Sequence, residues 1–352
     1  MRGLASLGVV IFHLSTLGLA VGLLPLGNMI TSWNSGVDFF FVLSGFLLSI
    51  PFLQQGSKYS LKNYYVKRIF RILPVYYLNI LLIGTILILT LHATLLQLVS
   101  SFFFAQSLSP ATFNSINGVS WTLVIEEIFY VTLPLFSVLF TKNRWRYSLP
   151  ACLAVSILYR EWAVLEFAHS DLSFHLWQYP SFLGHYALGL TLANFYVNRK
   201  FSGGKVTSSK PMLASILLLI VTQYFVGSAY GISNNGLVLP GLLFAFEYAS
   251  LIYFTLSTTS QSTLRKIFDN RLATSLGKIS YSLYTWHLPI EIFLLRSGLR
   301  SWEWVGLSLF LSLSVAALSY KFVEKPFLRY RDRLLSDKRV TDALVSVHST
   351  EA

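Results

Sequence analysis

The chain has 352 residues, of which 54% are hydrophobic and 12% are charged, and its net charge is +12. Soluble domains carry about 25% charged residues, so this composition excludes an ordinary soluble protein and predicts an integral membrane protein. The positive charges lie in short clusters between apolar runs, which argues against binding to nucleic acid. The single cysteine, Cys152, excludes an internal disulfide and a cysteine-based metal cluster, and no metal site is predicted.

The apolar runs predict an all-α, polytopic membrane protein with about ten transmembrane helices, because crossing a bilayer takes about 17–25 mostly apolar residues. The predicted spans are about 3–25, 36–53, 73–92, 119–140, 147–160, 180–197, 211–230, 237–257, 279–296 and 303–322. The segment 95–106 is too short to cross and is predicted to be interfacial or re-entrant.

Lysines and arginines set the predicted orientation. When both termini are placed in the cytoplasm, only Arg160, Arg296 and Arg300 of the 27 basic residues fall outside. Cytoplasmic loops of membrane proteins are enriched in basic residues, so we predict cytoplasmic N- and C-termini. The domain organisation predicted is one transmembrane domain over 1–325 and a cytoplasmic tail over 326–352. The apolar N-terminal segment is interpreted as a retained span rather than a signal peptide.

Arg2 and His13 are the first polar pair in the apolar runs. Eleven residues overshoot three helical turns by about 20°, so the two side chains share one helix face, about 16 Å apart along the axis. Arg2 is expected at the cytoplasmic mouth and His13 near the bilayer centre. A basic residue at the end of a span commonly only anchors it, whereas a histidine at depth is a functional candidate by default.

Further polar candidates follow along the chain. They are Asp38 near the outer end of the second span, Lys67, Arg68 and Arg71 at the cytoplasmic end of the third, Glu126 and Glu127 inside the fourth, and His287 near the midplane of the ninth. Asp38 is equally explained as a first-turn carboxylate that suits the helix dipole. Arg68 and Arg71 lie one turn apart, which makes a fork suited to phosphates.

The adjacent carboxylates Glu126 and Glu127 point to different faces of the fourth span and are expected to have different partners. A carboxylate at this depth costs about 2.5–3.5 kcal/mol on insertion scales. A functional role is therefore favoured over a structural one.

In their order along the chain, these residues resemble the acyltransferase-3 family of membrane acyltransferases. The likeness runs from Arg2 to about Arg331. It rests on the spacing of Arg2 and His13, on GVDFFFVLSGF at 36–46, on Arg68 with Arg71, on Trp121, Leu123, Glu126, Phe129 and Tyr130, on ISYSLYTWHLP at 279–289, and on Glu324, Lys325 and Pro326. Family members usually have several residues before the arginine, where this chain has Met1 alone. Some members also carry an esterase-like domain, and here we expect a stand-alone membrane domain.

The resemblance implies an enzyme of the inner (cytoplasmic) membrane. It would transfer an acyl group, commonly acetyl, from cytoplasmic acyl-CoA to a hydroxyl of a carbohydrate or glycolipid acceptor of the cell envelope. Acyl-CoA is then a substrate and not a permanently bound cofactor, and the lipid bilayer and the acceptor are the other partners.

The resemblance also assigns roles to residues. The implied catalytic residues are His13, Arg2 and Glu126, the implied acyl-CoA ligands are Lys67, Arg68 and Arg71, and the further candidates are Asp38, Trp121, Tyr284 and His287. Glu126 is expected to orient His13 or the acceptor. A histidine can take a hydroxyl proton or carry the acyl group near neutral pH, and the sequence leaves both routes open.

Two other classes of protein share some of these features. A proton-coupled transporter also has about ten spans with buried histidines and carboxylates, although it commonly carries an inverted repeat, and none is visible here. A non-catalytic scaffold would not need the register of Arg2 and His13. Release of free CoA from acetyl-CoA distinguishes an enzyme from both.

Overall fold

The computed structural model describes residues 1–17, 27–168, 170–198, 209–229, 239–258, 263–299 and 301–336. Within these ranges the chain forms helices and turns without a β-strand, as the all-α prediction requires. The helices are α1 (Arg2–Leu17), α2 (Gly27–Ile30), α3 (Gly36–Gln55), α4 (Leu61–Leu89), α5 (Leu95–Phe102), α6 (Trp121–Leu139), α7 (Trp145–Phe167), α8 (Leu172–Leu176), α9 (Leu183–Val197), α10 (Lys210–Ala229), α11 (Pro240–Ser257), α12 (Thr263–Phe268), α13 (Arg271–Arg296) and α14 (Ser301–Ser319).

Each predicted span coincides with one helix of the described chain, namely α1, α3, α4, α6, α7, α9, α10, α11, α13 and α14. The end of the first span, over 18–25, lies outside the described residues. By length and composition, six described helices are apolar enough to cross a membrane. The outer surface is apolar as well, since α10 exposes Leu217, Leu218 and Phe225, and such surfaces are typical of lipid-facing helices. The chain is therefore an all-α, polytopic membrane protein.

Contacts between paired helices show their relative directions. Two contacts show the direction of each pair. Helices α1 and α13 meet at Gly3–Leu276 and His13–His287, and α4 and α13 meet at Ile72–Tyr281 and Asn79–Thr285. Helices α3 and α9 meet at Asp38–His185 and Gly45–Gly189, and α13 meets the last helix at Ser282–Glu324 and Trp286–Ser319. The first three pairs are parallel and the last is antiparallel. Spans one, three and nine must share one direction, and spans two and six the other, so these contacts agree with ten alternating spans.

The short helix α5 folds back along α4 and is not a crossing. The Tyr76 hydroxyl donates a hydrogen bond to the Ser101 carbonyl oxygen at 2.6 Å. The rings of Tyr77 and Phe102 stack with their centroids 4.7 Å apart. If α5 crossed the membrane, α4 and α13 would run in opposite directions, whereas they run parallel. The prediction of an interfacial or re-entrant segment over 95–106 agrees with this placement.

Two glycines allow α3 and α9 to touch along their backbones. A Cβ on Gly45 would collide with the backbone of Tyr186, and a Cβ on Gly189 would collide with the Val42 carbonyl oxygen. In a membrane, helix association lacks a hydrophobic driving force and relies on close packing, which small residues of this kind permit. The close packing holds the outer end of α3, where Asp38 lies, against α9.

The predicted boundary between domain and tail at Pro326 falls inside a helix. After α14, residues Tyr320–Glu324 form a π turn, and the helix then continues to Ser336. Pro326 has no N–H and cannot close the hydrogen-bond ladder, and a widened π turn accommodates such an interruption. The chain therefore has no structural break at 325, and 337–352 lie outside the described residues.

We expect cysteine labelling to report cytoplasmic termini. In a Cys152→Ala background, Ala111→Cys should react with an impermeant maleimide in intact cells, because it follows α5 on the predicted outer side. Ser57→Cys, between α3 and α4, should react only after permeabilisation. Both positions are exposed in the protein. Labelling at position 57 in intact cells would invert the predicted orientation.

Candidate active site

A small cavity lies where α1, α3, α6 and α13 meet, and we call it the arginine cavity. Its lining residues are Arg2, Val37, Phe40, Phe41, Thr122, Leu123, Glu126, Ser280, Tyr281 and Tyr284. Its volume is about 40 Å³, which is room for a few water molecules. The cavity brings together three residues that the sequence singled out separately, Arg2, Glu126 and Tyr284.

Arg2 begins α1 and points into the protein. Its guanidinium carbon lies 6.0 Å from the centre of the Phe40 ring, and its Nε atom is buried without a hydrogen-bond partner. Arg71, Arg68 and Glu126 are all within electrostatic range. Arg2 is therefore a half-buried residue at the start of α1, and its place at the cytoplasmic mouth stays a prediction.

Glu126 stands on α6 among hydrogen-bond donors. Ser44 Oγ donates to Glu126 Oε1 at 3.1 Å, and the Tyr130 hydroxyl donates to Oε2 at 2.7 Å. Both carboxylate oxygens of this half-buried residue thereby have a hydrogen-bond donor. Glu126 lies with Arg2 in the arginine cavity, and the hydrogen bonds of His13 go elsewhere. Glu126 therefore does not hydrogen-bond His13, and orientation of the acceptor by Glu126 stays a prediction.

Arg68 and Arg71, one turn apart on α4, have different surroundings. Arg71 Nη1 forms an ion pair with Glu324 Oε1, and Glu324 is only 1% exposed. The other Glu324 oxygen accepts from Ser282 Oγ at 2.9 Å. Arg68 instead lies over the Tyr130 ring, with its guanidinium carbon 5.7 Å from the ring centre. Of the predicted phosphate ligands, Arg71 is thus already paired, while Arg68 keeps its positive charge available.

His13 and His287 form a pair in the interior. His13 Nδ1 lies 3.0 Å from the Val9 carbonyl oxygen and 3.2 Å from His287 Nε2. His287 Nδ1 lies 3.1 Å from the Leu283 carbonyl oxygen. A carbonyl oxygen only accepts, so each Nδ1 carries a proton, and His287 Nε2 presents a lone pair to His13.

This arrangement leaves one atom of the pair free. His13 Nε2 carries a lone pair, and no described residue lies within hydrogen-bonding distance of it. His287 is fully buried, whereas His13 is partly exposed. The geometry therefore presents His13 Nε2 as a base or nucleophile and holds its ring from behind through His287.

Pro289 explains how α13 is held at the level of the histidines. Proline donates no hydrogen bond, so the carbonyl four residues earlier, that of Thr285, loses its helical partner. The Asn79 and Asn117 side-chain amides donate to this oxygen at 3.2 and 2.9 Å, and Asn117 also donates to the Asn79 side chain at 2.8 Å. These two buried asparagines thus support the turn that carries His287. Sequence analysis missed them, although polar residues facing a proline inside a span are a usable signal.

Tyr284 connects the arginine cavity to the histidine pair. Its ring lines the cavity and lies 5.8 Å from the His287 ring, measured between centroids. Its hydroxyl is 3.0 Å from Thr122 Oγ1 on α6. Tyr284 therefore contacts both the arginine cavity and the histidine pair.

Three predicted candidates lie outside this site. Asp38 Oδ1 accepts from His185 Nε2 at 2.8 Å and so joins α3 to α9. Trp121 stacks on Trp177 with the ring centroids 4.7 Å apart, inside the main hydrophobic core. Lys67 lines a separate cavity at the start of α4. Asp38 thus joins two helices and Trp121 packs in the core, and a functional role for either stays a prediction.

The fold and the site define a polytopic membrane protein with an arginine–carboxylate cavity next to a histidine pair. The family model described as an acyltransferase domain, Acyl_transf_3, matches residues 1–321. The chain belongs to this acyltransferase family. No solved structure matches it.

Relatives carry acetyltransferase names. A Staphylococcus aureus (strain COL) protein named "Putative O-acetyltransferase" is 26% identical over 358 residues, which cover 93% of this chain and 56% of the relative. O-acetyltransferase OatA of S. aureus (strain NCTC 8325 / PS 47) is 24% identical with the same coverage. A protein of Acidianus two-tailed virus named "Putative acetyltransferase" is 29% identical, over 83% of this chain and 82% of its own length. The chain thus spans about half the length of the staphylococcal relatives.

Substitutions of the two adjacent carboxylates, Glu126 and Glu127, are expected to differ in their effect on kcat. Glu126→Gln should lower kcat strongly, because Glu126 lines the arginine cavity and faces the charge of Arg2. Glu127→Gln should have the smaller effect, since Glu127 lies outside the cavity lining. Steady-state kinetics of both variants at matched expression measure the difference. A stronger loss from Glu127→Gln would mean that the reaction uses the other face of α6.

Proposed function

We propose that the chain transfers an acyl group, most simply acetyl, from cytoplasmic acyl-CoA to a hydroxyl of a carbohydrate or glycolipid acceptor of the cell envelope. The observation that carries the proposal is the free Nε2 of His13, whose ring is held through its Nδ1 by His287. Membership of an acyltransferase family supports acyl transfer as the reaction.

In this proposal, His13 is the base and His287 steadies it. Nε2 of His13 takes the proton of the acceptor hydroxyl while that oxygen attacks the thioester carbonyl. The carbon–sulfur bond breaks, CoA leaves as a thiolate, and the proton is returned to the thiolate. As His13 becomes positive, its Nδ1–H bond to His287 Nε2 strengthens. The carboxylate of a serine-protease triad supports its histidine in a comparable way.

Arg2 acts on another part of the donor. Along α1 the backbone rises about 16 Å between Arg2 and His13, and a helical side chain points back toward the N-terminus. The two residues therefore do not touch one carbonyl group. Arg2 and Arg68 would instead attract the phosphates of CoA, and the flexible pantetheine arm would span the distance to His13.

Acetyl is the proposed acyl group because the relatives carry acetyltransferase names.

The proposal is tested with purified protein, labelled acetyl-CoA and membrane extracts that contain the acceptor. An acyltransferase releases free CoA and moves the label into the extract in equal amounts. A proton-coupled transporter reconstituted in vesicles would show substrate flux without CoA release, and that result would contradict the proposal.

A further inference from the structure

A second cavity lies at the corner where α3 ends and α4 begins, and we call it the corner cavity. Its lining residues are Pro51, Gln55, Lys58, Tyr59, Ser60, Asn63 and Lys67. Its volume is about 300 Å³, at the lower end of the range for small-molecule sites. It is separate from the arginine cavity, and the two share no lining residue.

The lining suits an anionic ligand that also carries an aromatic ring with hydrogen-bond donors and acceptors. Lys58 and Lys67 bring two positive charges, and none of the lining residues is acidic. Gln55 and Asn63 offer amide groups, which can both donate and accept. Tyr59 adds an aromatic ring, and aromatic side chains bind nucleobases by stacking irrespective of base identity.

The corner cavity is electrostatically connected to the active site through Arg68. Burial raises the pKa of the Tyr59 phenol, and nearby Arg68 partly offsets this rise. Arg68 is also within electrostatic range of Arg2. Lys58 and Lys67 thus place positive charge at the corner cavity, and Arg68 lies within electrostatic range of residues of both cavities.

The separation of these charges suits an elongated anionic ligand. Between Asn63, which lines the corner cavity, and Arg71 the axis of α4 rises about 12 Å. A ligand with a phosphate-bearing base in the corner cavity would extend past Arg68 toward the arginine cavity.

We propose that the corner cavity binds the adenosine 3′-phosphate end of acyl-CoA, with Lys58 on the 3′-phosphate and Tyr59 beside the adenine. This assignment rests on the proposed function, since acyl-CoA is the donor there. It adds that the protein distinguishes acyl-CoA from 3′-dephospho acyl-CoA, which acyl transfer alone does not require.

The test compares acetyl-CoA with acetyl-3′-dephospho-CoA. The wild-type KM should be about tenfold lower for acetyl-CoA, the effect of one charge-assisted hydrogen bond. Lys58→Gln should raise the KM for acetyl-CoA about tenfold, leave the KM for the dephospho donor unchanged and keep kcat. The matched control is Lys278→Gln, an exposed lysine on α13 outside the cavity lining, which should change neither KM.

A binding measurement separates this inference from the proposed function. Adenosine 3′,5′-bisphosphate should bind the detergent-purified wild-type protein about tenfold more tightly than AMP, and Lys58→Gln should remove the difference. If the bisphosphate binds in this way but acetyl-CoA is not turned over with acceptor present, the cavity assignment stands and the proposed acyl transfer fails.

Two results would overturn the assignment while leaving acyl transfer intact. One is an equal KM for the two donors in the wild-type enzyme. The other is displacement of the bisphosphate by phosphatidylglycerol at low mole fraction, with Lys58→Gln weakening lipid binding, since the cavity would then hold a lipid phosphate.

Discussion

Replacing His13 with glutamine is expected to lower kcat for acetyl transfer by about 10²–10⁴-fold, the usual worth of a general base. Glutamine keeps a hydrogen-bonding side chain beside Val9 and His287 but offers no nitrogen that can take a proton. Expression and membrane insertion should persist, because removing a polar ring from a span does not hinder insertion. Transfer rates are measured at saturating acetyl-CoA, with protein amounts matched by detergent-stable chromatography.

His287 provides the matched control for this expectation. His287→Gln keeps an acceptor for the His13 Nδ1–H bond, so its loss should be smaller, within the 10–100-fold that is common for supporting residues. His287→Leu removes that acceptor and should lose more than the glutamine variant. A stable His13→Gln protein that transfers acetyl at the wild-type rate would end the assignment of His13 as the base.

The ion pair between Arg71 and Glu324 is expected to give the largest stability effect. Glu324 is only 1% exposed, so Arg71→Gln would leave its carboxylate without a counter-charge. Breaking a buried pair in this way costs about 3–5 kcal/mol. The midpoint of denaturant-induced unfolding in mixed micelles should fall accordingly, and Arg71→Gln combined with Glu324→Gln should recover much of the loss.

An exposed pair supplies the control for this stability effect. Asp332 is 66% exposed and pairs with Arg331, so Asp332→Asn should change the free energy of unfolding by less than about 1 kcal/mol. If Arg71→Gln left stability unchanged and raised only the KM for acetyl-CoA, Arg71 would be a phosphate ligand, as the sequence spacing alone predicted, and its pairing with Glu324 would have no structural role.

The number and position of the helices were predictable because a bilayer imposes a simple requirement. Backbone groups must be satisfied within each span, and apolar length then marks the span. Short α5 was separable from the crossings on length alone. The helix through Pro326 was not predictable, because a charged stretch can extend a helix beyond the membrane without an apolar signal.

The site was predictable in part. The spacing of Arg2 and His13 gave one shared face of α1, but sequence cannot show which helices cover that face. The partner of His13 is therefore His287 and not Glu126, although both were candidates. Asn79 and Asn117 gave no signal by themselves, since their role arises from a carbonyl freed by Pro289 on another helix.

In this account the protein binds the donor through its arginines and reacts through His13. The most direct test measures both CoA binding and acetyl transfer in His13→Gln and in Arg68→Gln. His13→Gln should bind CoA with a Kd within about twofold of wild type and transfer no acetyl group. Arg68→Gln should weaken CoA binding about tenfold and still transfer acetyl at high donor concentration. Loss of CoA binding in His13→Gln, or full binding with no transfer in Arg68→Gln, would contradict this division of roles.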